Sequence, residues 1–284
     1  MRNPRPVCPN PDCVHHTNPP ADFYRKNGYR RTKHNGQPVP RYQCKACGKN
    51  FCATQVKPIH GQHRPDLNTQ VFKMAVSRVG IRRMATVLDC GRETIQRKIE
   101  YLAGESRRHH ALFLLQLAKD GGTGYVMMDE LETYIHARWA QVGVPIAVRV
   151  KTGHVLGFGI ALLSSNMKKG RLAGWTKDTR HLVVPKVLNA LRPVMKPGGT
   201  LATDGEASYP KWIARALPGV RHERRASGEP GEFDPLFTIN LTHAKLRNDL
   251  ARLGRRSWAT TKTMKALDDH LWLWVAWVNG YPLK

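Results

Sequence analysis

The sequence predicts a small metal-knuckle module, then an all-α segment, then a larger α/β domain. Three observations predict this order. Four cysteines fall into two close pairs before residue 50. Apolar residues recur at helical spacing over 68–102. Short strand-like apolar runs then alternate with helical stretches through 120–284. The boundaries that follow are 1–57, 66–106 and 120–284.

The cysteine pairs are Cys8-x4-Cys13 and Cys44-x2-Cys47, the second followed by Gly48. Two such pairs can supply four thiolates to one tetrahedral Zn²⁺, and Gly48 lets the chain turn tightly after the second pair. The spacing predicts a zinc ribbon, with Tyr42-Gln43 as a strand entering the second knuckle. His15 and His16 stand as alternative ligands for one cysteine. Cys52 and Cys90 have no partner at ligand spacing and read as packing residues. The 30-residue gap between the pairs carries Arg25, Lys26, Arg30, Arg31 and Lys33, so its hairpin is expected to face DNA.

Val71, Met74, Ala75 and Val79 mark a first helix ending at Gly80, and Met84, Val87 and Leu88 a second over 83–88. Asp89-Cys90-Gly91 makes a turn into a third helix, 92–102, with Ile95 and Ile99 inward. Arg92, Thr94, Gln96, Arg97 and Lys98 are expected outward. Three helices with a glycine-containing turn fit a helix-turn-helix whose last helix reads the major groove.

Charge points the same way. The 284 residues hold 46 Lys and Arg against 21 acids, a net charge of +25 and a pI near 10.3. Residues 1–66 carry 12 basic and 3 acidic side chains, 67–108 carry 9 and 4, and the rest of the chain adds +11. A basic excess spread over the length predicts a polyanionic partner, double-stranded DNA above all. No run of eighteen apolar residues appears, and Met1-Arg2-Asn3-Pro4-Arg5-Pro6 lacks the apolar core of a signal peptide. The expected partner list therefore excludes membrane, and the expected location is the cytoplasm.

In the last part, Tyr125–Met128 runs into Asp129 and Leu201–Thr203 into Asp204, each read as a buried strand ending in a carboxylate. A hairpin follows from Ile146–Val150, the turn at 151–154 and Val155–Leu163; a helix occupies 181–191. Strand, hairpin, helix, strand, helix is compatible with a ribonuclease-H-like sheet. Two strand-end aspartates suit a two-Mg²⁺ site for phosphodiester chemistry, with Mn²⁺ an acceptable substitute. A third ligand is expected on a later helix, and there, with 35 residues between it and Asp204, stands Asn240, with His243 on the same helical face. Glu130 falls on the opposite side of its strand from Asp129 and reads as solvated. Asp249 is too far along the helix to replace Asn240, whereas Glu232 and Asp234 precede it and could swing in. A basic helix over 245–256, with Leu246, Leu250 and Leu253 inward, presents Lys245, Arg247, Arg252, Arg255 and Arg256 to phosphate. Trp272, Trp274 and Trp277 read as packing.

Taken together, the cysteine knuckles, the helix-turn-helix, Met128-Asp129-Glu130, Thr203-Asp204-Gly205 and the tail from Leu246 to Ser257 with Thr261-Lys262 resemble the insertion-element-one family of bacterial transposases. The resemblance implies a ribonuclease-H-like DDE domain that cuts and joins DNA ends with Mg²⁺. Asp129 and Asp204 match the family's aspartates, and its glutamate position falls on Asn240. It also implies a homo-oligomer, since paired ends must be cut together. Two other readings remain open: a catalytically inactive DNA-binding descendant, and a structure-directed nuclease that cuts without joining.

Overall fold

The computed structural model describes residues 7–31, 36, 38–52, 62–225, 234–254 and 262–283. The chain divides into two compact units at Leu67/Asn68.

The first unit is built on an antiparallel sheet of β1 (Tyr24–Arg31), β2 (Pro38–Cys44) and β3 (Asn50–Cys52), in that order. Its core is small. Phe23 and Phe51 stack at 5.7 Å, Tyr24 and Tyr42 pack edge-on beside them, and the cysteines complete the cluster. Arg25, Lys26, Arg30 and Arg31 are exposed along β1; Lys33 lies outside the described residues.

The second unit opens with α1 (Asn68–Ala75), α2 (Ile81–Val87) and α3 (Arg92–Lys119). The turn before α3 falls where the sequence puts it, with Asp89 in the left-handed region (φ 44°) and Gly91 capping the helix. Two expectations are corrected here. The third helix runs on past 102, through the expected boundary at 106, for 28 residues. Its second half is fixed by polar contacts to α8 (Met264–Val278): Ser106 Oγ donates to the Trp272 carbonyl, and Arg107 reaches Asp268 and Asp269 at 2.6 and 2.8 Å. The three helices therefore form one unit with the sheet. Lys98 is not outward. It is 3% exposed, because it stands three residues after Ile95 on the same stripe as Ile99 and Leu102, where its aliphatic stem is buried. Arg92, Gln96 and Arg97 are exposed and Thr94 half-buried.

The remainder is a mixed α/β body. Its sheet contains β4 (Thr123–Tyr134), β5 (Gln141–Arg149), β6 (Val155–Phe158), β7 (Ala161–Leu162), β8 (Met195–Thr203) and β9 (Arg221–Arg224). The strand order is β6-β5-β4-β8-β9, with β7 also on β5. The first three strands are antiparallel; β8 and β9 run parallel to β4. Pro145 is tolerated inside β5 because its missing N–H faces the break between β6 and β7, where its carbonyl accepts from Gly159 N.

Helices cover both faces. With α4 (Lys168–Leu172) lying between strands in sequence, α5 (Arg180–Leu191) and α6 (Tyr209–Ala216) pack with Val126, Met128 and Leu201 on one face. On the other, α7 (Phe237–Asp249) and α8 pack with Met127, Leu131 and Val144. Alternation along β4 thus assigns Asp129 to the α7 face and Glu130 to the α5 face. Trp274 is core, as expected, and Trp277 is 52% exposed beside Phe72. No described helix is long and apolar enough to cross a membrane.

Candidate active site and metal centre

Local turns create the cysteine cluster. In the second knuckle the Cys44 carbonyl accepts from Gly48 N at 3.0 Å, with Gly48 at φ 70°. In the first, Cys8 N donates to the His15 carbonyl and His16 N to the Cys13 carbonyl. The sulfurs of Cys8, Cys13, Cys44 and Cys47 lie within 4.8 Å of one another, with Cys8–Cys47 at 3.5 Å and Cys13–Cys44 at 3.7 Å. Tetrahedral metal–sulfur bonds of about 2.3 Å require sulfur–sulfur edges of roughly 3.8 Å, so four thiolates here fit one ion with little adjustment. The histidine alternative is not taken up by the structure. His16 Nδ1 lies 2.7 Å from the Cys8 carbonyl, and the His15 ring packs on Phe23. Burial pushes the Cys8 thiol up to about 12, whereas the Lys49 backbone N–H draws exposed Cys47 down to about 6.

The aspartates meet through strand register. Met127 pairs with Ala202 in the parallel β4–β8 ladder, so two residues further along each chain Asp129 comes beside Asp204. Asp204 does follow the end of its strand. Asp129 does not: β4 continues to Tyr134 because β5 pairs it over that whole length, and only β8 stops. Asp129 therefore sits in mid-strand where one neighbour has left off. Its Oδ1 accepts from Glu130 N at 2.7 Å, and its side chain keeps 20% of its exposure. Burial, then Asp204 and Glu132, push its carboxyl up to about 6 against the pull of Glu130 N. Asp204 Oδ1 accepts from Glu206 N at 3.2 Å.

His243 enters from α7, with Nδ1 3.7 Å from Asp129 Oδ2. It is 6% exposed, and its Nε2 is buried with no hydrogen-bond partner. Burial, then Arg247, lowers its pKa to about 4, so the ring is neutral at pH 7. Asn240 lies one turn earlier and is exposed. Its Nδ2 donates to Asp234 Oδ2 at 2.8 Å, while Asp234 Oδ1 accepts from Leu236 N. Asp234 is thus occupied in orienting Asn240, and Glu232 lies outside the described residues. Asp249 accepts from Trp274 Nε1 at 2.9 Å, a structural bond.

Further expectations are corrected, and one residue, Tyr209, is added. The expected basic helix over 245–256 stops at Asp249; extended Leu250 (ψ 115°) leads into a 3-10 turn, Ala251–Leu253, and Arg255 and Arg256 lie outside the described residues. The break follows from Asp249, whose carbonyl accepts from Arg78 N at 2.7 Å while its side chain holds Trp274. Lys245 is exposed, Arg247 half-buried, and Arg252 donates from Nε to buried His270 Nε2 at 3.1 Å. Glu130 is half-buried, not solvated. Burial pushes it up to about 7, against the pull of Arg180, and its Oε1 is buried with no hydrogen-bond partner. Tyr209, 1% exposed, directs an equally unpartnered hydroxyl into the same acidic surroundings.

Compared with known proteins, the chain matches no protein-family model and no curated protein.

Proposed function

We propose that the chain is a DDE-type DNA transposase resembling the insertion-element-one family, with Asn240 at the glutamate position. A single observation carries the reading: the β4–β8 register sets Asp129 beside Asp204, and α7 lays His243 against Asp129. A sheet of three antiparallel strands followed by two parallel ones, covered on both faces, is compatible with a ribonuclease-H-like domain. Asp129 and Asp204 would hold Mg²⁺ or Mn²⁺, and Asn240 would offer a neutral amide oxygen. The donor set fits, because a carboxylate raised by burial and by a second carboxylate gains its charged form when a cation is near. Such ions activate water or a 3′-hydroxyl and stabilise the leaving oxygen. Neutral His243 has a single N–H, and with Nδ1 3.7 Å from Asp129 Oδ2 it would steady that carboxylate. The four cysteines would hold a structural Zn²⁺, making the first unit a zinc ribbon, and α1–α3 would be a helix-turn-helix using Arg92, Thr94, Gln96 and Arg97. Double-stranded DNA is then the partner, a homo-oligomer the working form, and the nucleoid the place of action.

The test is nicking of supercoiled plasmid with Mg²⁺ and with Mn²⁺. Wild type is expected to nick and Asp129→Ala to be inactive; equal nicking by both would sink the two-aspartate site. Asn240 separates activity from the second reading, an inactive DNA-binding descendant. Asn240→Glu would set a carboxylate against Asp234 in place of a 2.8 Å hydrogen bond. A charge-assisted bond of this kind contributes about 1.5–3 kcal/mol to holding Asn240 in place, so nicking is expected to fall. Nicking gained from nothing would mean that the natural site has decayed.

A further inference from the structure

A cavity of about 370 Å³ opens further along β4 from Asp129, lined by Glu132, Thr133, Tyr134, Arg138, Arg247 and Arg252 among others. Two elements lead to it from the Asp129–His243 contact. Along β4, Thr133 stands four residues beyond Asp129, about 13 Å at roughly 3.3 Å per residue. Along α7, Arg247 stands one turn beyond His243 on the same face.

Arg252 is fixed from behind. His270 Nδ1 lies 2.9 Å from the Ala266 carbonyl and donates to it, which leaves Nε2 to accept from Arg252 Nε at 3.1 Å. His270 is 5% exposed, so this support is rigid. Arg78 adds a fourth guanidinium at the rim, its Nη2 3.3 Å from where a Cβ on Gly254 would lie. The lining itself brings three arginines, Arg138, Arg247 and Arg252, against one acid, Glu132. Forked guanidinium donors converging on one space match the oxygens of a phosphodiester.

We propose that this cavity seats a backbone phosphate of the DNA strand whose reacting phosphate lies at Asp129 and Asp204. The position of the reacting phosphate rests on the transposase reading; the anion site itself does not.

The experiment measures binding of the full-length chain to a short random-sequence duplex, by fluorescence anisotropy across a salt series without divalent metal. Arg138→Ala and Arg247→Ala are each expected to flatten the plot of log K against log salt by about 0.9. They should also weaken binding evenly across sequences. Arg138 is exposed, so its removal leaves packing intact, and Arg138→Lys should keep the slope. Glu132→Gln is expected to tighten binding several-fold, a gain that misfolding would not produce. Unchanged slopes in both arginine variants, or no tightening in Glu132→Gln, would overturn the inference. Flattened slopes in a protein that never nicks plasmid would keep the anion site and sink the transposase reading. Unchanged slopes with active nicking would do the reverse.

Discussion

Chelation is expected to unfold the first unit and leave the second folded. Among the described residues, the core cluster of the first unit is Cys8, Cys13, Cys44, Phe23 and Phe51, with Tyr24 and Tyr42 half-buried around them. So small a core cannot offset the entropy of ordering its own chain, and modules of this size usually need a metal or disulfides. Disulfides are not in place: the sulfur contacts of 3.5 and 3.7 Å far exceed the bonded distance of about 2.05 Å. Binding of Zn²⁺ to four thiolates contributes on the order of 10–16 kcal/mol to folding in small modules. A chelator in excess, or Cys13→Ser, should therefore abolish the first unit's melting transition and release one Zn²⁺ per chain. The transition of the second unit should move little. Lowering the pH should act like the chelator, since protons compete for the same sulfurs. Exposed Cys47, whose thiolate is favoured by the Lys49 N–H, would offer an incoming ion its first ligand, and buried Cys8 would release its proton to solvent as its sulfur bound the ion. A metal-free chain that retains both transitions would remove zinc from the account.

The readable and unreadable parts of this molecule differ in how local their causes are. The cysteine cluster was legible because spacing alone brings each pair together: a knuckle closes over a few residues, and Gly48 supplies its turn. The aspartates were legible as residue types. Their meeting depends on the Met127–Ala202 register between strands far apart in sequence, which no local pattern fixes. For the same reason Asp129 read as a strand end. The stretch after it, Glu130-Leu131-Glu132-Thr133, has no apolar run, yet β5 pairs it residue for residue. The length of α3 was hidden by Ser106-Arg107-Arg108-His109-His110, a polar run beyond the apolar repeat of 92–102. It is helical because Ser106, Arg107 and His110 find partners on or just after α8, His110 Nδ1 lying 2.7 Å from the Tyr281 hydroxyl. Lys98 could have been read correctly. Its place three residues after Ile95 already set it on the apolar stripe. Arg252 could not, because nothing near it in sequence announces that His270 will support it.

Replacing Asp129 with Asn is expected to stabilise the second unit while abolishing its chemistry. Burial and Asp204 hold the folded-state pKa at about 6, whereas an unfolded aspartate titrates at about 3.9. Below about pH 4 the carboxyl is protonated in both states and contributes nothing. As the pH rises from about 4 to about 6, the unfolded chain sheds its proton first and is favoured. Above about pH 6 the accumulated cost of folding is complete, on the order of 3 kcal/mol for a shift of about two units. An amide carries no such charge, and its Oδ1 can still accept from Glu130 N as the aspartate does at 2.7 Å. Melting at about pH 7.5 without metal should therefore favour Asp129→Asn by about 2–3 kcal/mol, the difference fading towards about pH 4. Millimolar Mg²⁺ should narrow the gap from the other side, raising wild type and not the variant, because a ligand that binds only the folded state stabilises it by mass action. A variant less stable than wild type at neutral pH would mean that His243 or an unrecognised donor already compensates the charge. A variant that gains stability yet still responds to Mg²⁺ would move the metal away from Asp129. On the transposase reading, burial beside Asp204 would hold the aspartate at a disadvantage that a cation bound next to it would relieve.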